Sequence, residues 1–144
     1  MIEVCRRFAA PPEQVFDAWT EPDVLREWWS AGPSHRPGLA EVDLRVGGAY
    51  RLSMIRDDGI ETVIRGEYVE VQRPTRLAFT WSWESGGGDD PTDGAISLVE
   101  IDFEEDGDAT IVTLRHSGLV TPGSIERHER GWSGCFDSLD RRFA

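Results

Sequence analysis

The chain has 144 residues, 39% of them hydrophobic, and a net charge of −12 at pH 7. That length suits one domain spanning residues 1–144, with a core that needs no disulfide or metal staple. The charge argues against a nucleic-acid binder or a protein of anionic membrane surfaces, since both need a basic face, and no apolar run approaches the roughly 18–20 residues of a membrane span.

Val4, Arg6 and Phe8 alternate with Cys5 and Arg7, which predicts a first strand. Pro11, Pro12 and Glu13 open a helix, with proline tolerated in its first turn, and Val15, Phe16 and Trp19 fall on one face. Thr20 and Asp23 have capping-box spacing around Pro22, so a short second helix is expected to about Trp29, ended by Gly32 and Pro33. Strands follow. Val42 and Leu44 alternate before the Gly47-Gly48 turn, then Tyr50, Leu52 and Met54 up to the turn at Asp57, Asp58 and Gly59. Glu61 to Val71 has strand propensity with mixed polarity, and Pro74 breaks it. Leu77, Phe79, Trp81 and Trp83 alternate cleanly, and Glu84 to Gly94 reads as a long acidic hairpin loop. Val99, Ile101 and Phe103 form another strand face, Asp106-Gly107 a hairpin turn, and Val112, Leu114 and His116 the next face. The period then changes. Ile125, His128, Trp132, Cys135, Phe136, Leu139 and Phe143 recur at three and four residues, the stripe of a long helix from about Ser124 to Phe143. The class is α+β, a curved antiparallel sheet burying one face against the final helix.

Several chemistries lose support. All 15 basic residues are arginine, which excludes Schiff-base and P-loop lysine chemistry. Three histidines and two cysteines show no zinc spacing. Asp89, Asp93, Gly94, Ile96 and Glu100 fit a calcium-loop register, but Pro91 takes a ligand position and strands flank the segment. The run from Gly131 to Cys135 lacks the last glycine of a nucleophile elbow and sits within a helical pattern, so Cys135 reads as a small buried hydrophobe. The Gly47-Gly48 and Gly86 to Gly88 runs precede no helix and are turns, not phosphate cradles. His35 falls in a Gly/Pro loop and is expected in solvent. No catalytic residue, metal site or cofactor is assigned. The opening segment carries Glu3 and no apolar stretch of a signal peptide, so a cytoplasmic protein with reduced thiols at Cys5 and Cys135 is expected.

The order of elements and five segments resemble the SRPBCC or START-like superfamily, the helix-grip fold. The segments are RRFAAPPEQVFDAWTEPDVLREWW from Arg6 to Trp29, DLRVGGAYR from Asp43 to Arg51, GEYVEVQRPTRLAFTWSW from Gly66 to Trp83, TIVTLRHSGL from Thr110 to Leu119 and HERGW from His128 to Trp132. Within that superfamily the chain is similar to the branch named after the C-terminal domain of the activator of the ninety-kilodalton heat-shock protein ATPase. The resemblance implies about seven antiparallel strands gripping the C-terminal helix, with a cavity between them and ligand binding more than chemistry.

The expected function is binding of an apolar or aromatic small molecule. The expected cavity residues are Leu52, Met54, Phe79, Trp81, Trp83, His116, Trp132 and Phe136. Trp28 and Trp29 cannot both point inward from one helix, so one is expected at the cavity mouth. Arg6 shares the face of Val4 and Phe8 and is a candidate polar anchor that needs a carboxylate partner if buried. Two readings stay open beside this one: a cochaperone-like interaction module and a cyclase- or hydrolase-like enzyme using the cavity. A homodimer and a chaperone partner stay open with them.

Overall fold

Seven strands with alternating apolar residues pair antiparallel in the order β1-β7-β6-β5-β4-β3-β2, one curved sheet in which every neighbour but β1 and β7 is also a sequence neighbour. The structure is a computed structural model that describes residues 1–85 and 95–144, with no side-chain description at Ser85. The calcium-loop positions Asp89 and Asp93 and the Gly86 to Gly88 run lie outside the described residues. The chain runs β1 (Ile2–Phe8), α1 (Pro12–Thr20), α2 (Pro22–Trp28), β2 (His35–Val42), β3 (Ala49–Arg56), β4 (Glu61–Gln72), β5 (Arg76–Ser85), β6 (Ser97–Asp106), β7 (Ala109–Ser117) and α3 (Pro122–Arg142).

The inner face of the sheet is built from the alternating sets. Val99, Ile101 and Phe103 of β6 and Val112, Leu114 and His116 of β7 are all buried, as are Leu77, Phe79 and Trp81 of β5. Against them α3 lays its stripe of Ser124, His128, Trp132, Cys135, Phe136 and Leu139. The first helix adds Val15, Phe16 and Trp19, and Phe16 meets Phe103 edge-on at 5.3 Å. The outer face is polar and zipped across strands. Arg76 reaches Glu70 at 2.7 Å, Glu100 at 2.5 Å and Asp102 at 3.1 Å, and Arg115 bridges Asp102 and Glu3.

Three local expectations need correction. First, β2 starts at His35 and takes in the Gly/Pro segment, because Arg36, Pro37 and Ala40 pair with β3 around an irregularity between Pro37 and Ala40. His35 is therefore a half-buried strand residue, and Leu44 lies beyond the strand, exposed. Second, no capping box forms at Thr20. That residue ends α1 and its hydroxyl donates back to the Phe16 carbonyl, while Glu21 caps α2 without a side-chain bond. Third, Trp28 and Trp29 are both buried. Trp28 is the last helical residue, and Trp29 leaves the helix at φ −62° and ψ 97°, which frees its side chain from helical spacing. The mixed polarity of β4, a strand as expected, has a register cause: Val69 is an extra residue against β5 between Tyr68 and Glu70, so the inward parity passes from Ile64 and Tyr68 to Val71.

One close approach fixes the position of α3. A Cβ on Gly134 would sit 1.7 Å from the Ala31 carbonyl oxygen, so only glycine lets the helix lie on the segment after α2. Ser138 then ties the two together by donating to the Trp28 carbonyl at 2.6 Å.

Candidate functional site

Where β5, the end of α2 and the first half of α3 converge, the inner face carries indole and imidazole rings. Their polar edges bond to one another. The Trp132 indole N–H donates to His116 Nδ1 at 3.0 Å. An indole nitrogen is a donor only, so His116 carries its proton on Nε2 and donates to Ser97 Oγ at 2.8 Å, which in turn donates to the Trp81 carbonyl. The second histidine repeats the pattern. Its Nδ1 lies 2.7 Å from the Ser124 carbonyl, which can only accept, so Nε2 is the acceptor for the Trp83 indole N–H at 2.8 Å. The two imidazoles stand perpendicular with centroids 5.3 Å apart. Burial, aided by the neighbouring His128 ring, pushes His116 down to about 3, so the ring stays neutral.

Beside this cluster opens a cleft of about 350 Å3. Its wall includes Trp29, Met54, Trp81, Trp83, His128 and Trp132. Trp81 and Trp132 pack tilted at 4.9 Å, and Trp29 meets both edge-on at about 6 Å. The Nε1 atoms of Trp29 and Trp81 are buried with no hydrogen-bond acceptor among the described residues. Cys135 also lines the cleft, and burial pushes its thiol up to about 12, so it is held protonated. Among the described residues no three or more His, Cys, Asp or Glu side chains gather as a metal site would need, and no helix is long and apolar enough to cross a membrane.

The cleft brings together Met54, Trp81, Trp83 and Trp132 of the expected cavity set, with Trp29 of the mouth pair. The others lie elsewhere. Phe79 meets Tyr50 and Tyr68 edge-on, and Leu52 is buried on β3. Phe136 packs between Phe8 and Trp19. His116 is wholly buried, with both ring nitrogens engaged. Trp28 is core, its indole N–H donating to the Ala18 carbonyl at 2.7 Å. Arg6 is partly exposed, bonds Asp137 of α3 at 2.6 Å and lies 5.9 Å from the Phe136 ring, away from the cleft wall. Reasoning from sequence missed Arg56, Arg127 and Arg130, which also line the cleft. The signal was available for two of them: Arg127 adjoins His128 on the stripe of α3, and Arg130 follows one turn later.

The family model described as Activator of Hsp90 ATPase homolog 1-like protein matches residues 9–144. No curated protein matches the chain. Among solved structures, the chain is similar to a protein of Chromobacterium violaceum at 22% identity and a TM-score of 0.82, over 99% of this chain and 96% of that one. The AHSA1 protein of Silicibacter pomeroyi is similar at 25% identity and a TM-score of 0.82, over 98% and 95%. CalU16 of Micromonospora echinospora is similar at 25% identity and a TM-score of 0.71, over 99% and 74%.

Proposed function

The chain belongs to the family of Activator of Hsp90 ATPase homolog 1-like proteins, an SRPBCC family, and from that premise we propose that it binds an apolar, aromatic small molecule in the cleft walled by Trp29, Trp81, Trp83 and Trp132. The observation that carries the reading is the cleft itself: four indole rings and Met54 around a space within the ~300–1,000 Å3 range of small-molecule sites. Flat indole walls favour a flat ring by offset or edge-on packing.

Binding fits the arrangement better than turnover. His116 and His128 use their ring nitrogens to fix the rings around them, and Cys135 keeps its proton. A ligand burying ~200 Å2 of apolar surface would gain about 5 kcal/mol before association entropy, so an unoptimised aromatic probe is expected to bind between roughly millimolar and micromolar.

The test is a titration followed by the six tryptophan indole N–H resonances in a nitrogen–proton spectrum. Aromatic probes should shift the signals of Trp29, Trp81, Trp83 and Trp132 and leave Trp28 and Trp19 nearly still. Trp83→Ala should weaken binding about tenfold while the fold survives, since Trp83 is only partly buried. Probes that move none of the four cleft signals would refute the reading.

A further inference from the structure

The chain carries 27 carboxylates against 15 arginines, yet the described wall of the cleft reverses that balance. It holds Arg56, Arg127 and Arg130 and no aspartate or glutamate. On the outer face carboxylates compensate the ladder arginines where they stand, with Arg76 alone meeting three and Arg115 two. At the cleft, Arg56 comes from the end of β3 and the other two from consecutive turns of α3, so arginines line it from both sheet and helix. None of the three is without a partner. Arg56 reaches Asp58 at 2.6 Å and Arg130 reaches Glu126 at 3.9 Å, with both arginines well exposed. Such pairs are weak and solvent-screened, and a guanidinium with five donors can hold a second oxygen group beside the first.

We infer that the ligand is an aromatic oxyanion, a flat ring system with a carboxylate or similar group, seated with its ring among the indoles and its charge toward Arg56, Arg127 and Arg130. This rests on the binding reading above and names the chemical class that the same cleft selects. The apolar wall supplies area without choosing among flat rings. The arginines supply the choice: in a strongly negative protein an anion is repelled from most of the surface, and these three side chains offer it donors beside the indoles. Arginine suits the task because its fork meets both oxygens of a carboxylate.

The experiment compares matched probes on the intact chain: 2-naphthoate, its neutral amide, and 2-naphthylmethylammonium, with benzoate and benzamide as a smaller pair. Dissociation constants are read from the indole N–H shifts. The expected order is carboxylate tightest, amide at least fivefold weaker, ammonium weakest. Arg127→Gln and Arg130→Gln should each weaken the carboxylate about twofold to fivefold and leave the amide within error, and added salt should narrow the gap between the two probes. Equal binding of carboxylate and amide, with the cleft signals shifted by both, would overturn the charge assignment and leave the binding reading standing. If neither probe pair moves the cleft signals, the binding reading falls and takes this inference with it. Carboxylate binding reported only by signals away from the cleft would overturn the assignment as well.

Discussion

The two halves of α3 bury similar stripes against the same sheet and end in different environments. From Cys135 to Phe143 the helix meets mainly hydrocarbon and phenyl rings, with the Trp19 indole beside them. Phe136 packs with Phe8 and Trp19, and Phe143 meets Phe8 edge-on at 6.3 Å, with Leu139 wholly buried between. From Ser124 to Trp132 it meets rings that carry N–H groups, and each buried donor must find an acceptor or forgo one. Phenyl and leucine side chains have no such demand and close the space by rotating to fit. Two of the four cleft indoles, Trp83 and Trp132, are held by bonds to His128 and His116, while Trp29 and Trp81 are held by ring packing alone, and the cleft opens beside them. The difference teaches that one helix stripe can close against phenyl rings at one end and border a cleft where polar-edged rings meet at the other.

The comparison can be tested in descending order of effect. Trp132→Ala removes a buried ring and leaves His116 Nδ1 without its donor, so unfolding should be easier by about 3–5 kcal/mol. Trp132→Phe should keep much of the packing and cost only about 1–3 kcal/mol, which denaturant titration can separate. If the two variants lose the same stability, the bond to His116 contributes more than the ring, and the bonded half differs from the phenyl half more sharply than argued.

Gly134→Ala tests the seam between the halves. The added methyl meets the Ala31 carbonyl oxygen, a backbone atom that cannot swing away. The gain in helix propensity is about 1 kcal/mol, and overpacking of about 1–3 kcal/mol should outweigh it, so the melting temperature should fall. A rise would mean that α3 can lift off that segment at little cost.

Acid should weaken the bonded half first. The imidazole of His116 titrates near 6.5 when unfolded and near 3 when folded. Between those values the unfolded state holds the extra proton, so stability from this group is complete above about pH 6.5 and falls as pH drops toward 3. The loss should be about 2 kcal/mol at roughly pH 5. His116→Leu should flatten that part of the profile relative to the parent chain, which isolates it from the titrating carboxylates. A parallel profile in the variant would show that His116 keeps its proton balance on folding.

The smallest effect is expected at Arg6. Its bond to Asp137 is short but solvent-exposed on the carboxylate side, so Arg6→Ala should cost under about 1 kcal/mol and leave the indole signals of the cleft unmoved. A shift in those signals would connect the phenyl half to the cleft.

Much of this was legible before folding was considered. The stripe of α3 and the clean alternation of β5, β6 and β7 can be read from spacing, because a strand buried on one face must repeat every two residues and a helix every 3.6. The places where that reading stumbled are those where local spacing stops being the constraint. β2 pairs at Pro37 and again from Ala40, on either side of an irregularity, because its partner β3 supplies the ladder. Trp29 turns inward because the helix has already ended. The candidate site was half legible: Met54, Trp81, Trp83, Trp132 and Trp29 line the cleft, whereas Phe79, Leu52, Phe136 and His116 share the right faces but are covered by packing.

The amino-acid sequence by itself determined that this chain forms a curved sheet closed by a long amphipathic helix, that its inner face is aromatic, and that the whole is strongly acidic. Parity and period encode which side of an element is buried, and charge is a sum over residues. Only the tertiary structure decided where the aromatic face stays open, which indoles bond to which histidines, and that three arginines gather at the opening. Those depend on contacts between β3, β5, β7, the end of α2 and α3, which lie far apart along the chain. No local pattern records the distance between residues that meet only after the helix has closed on the sheet.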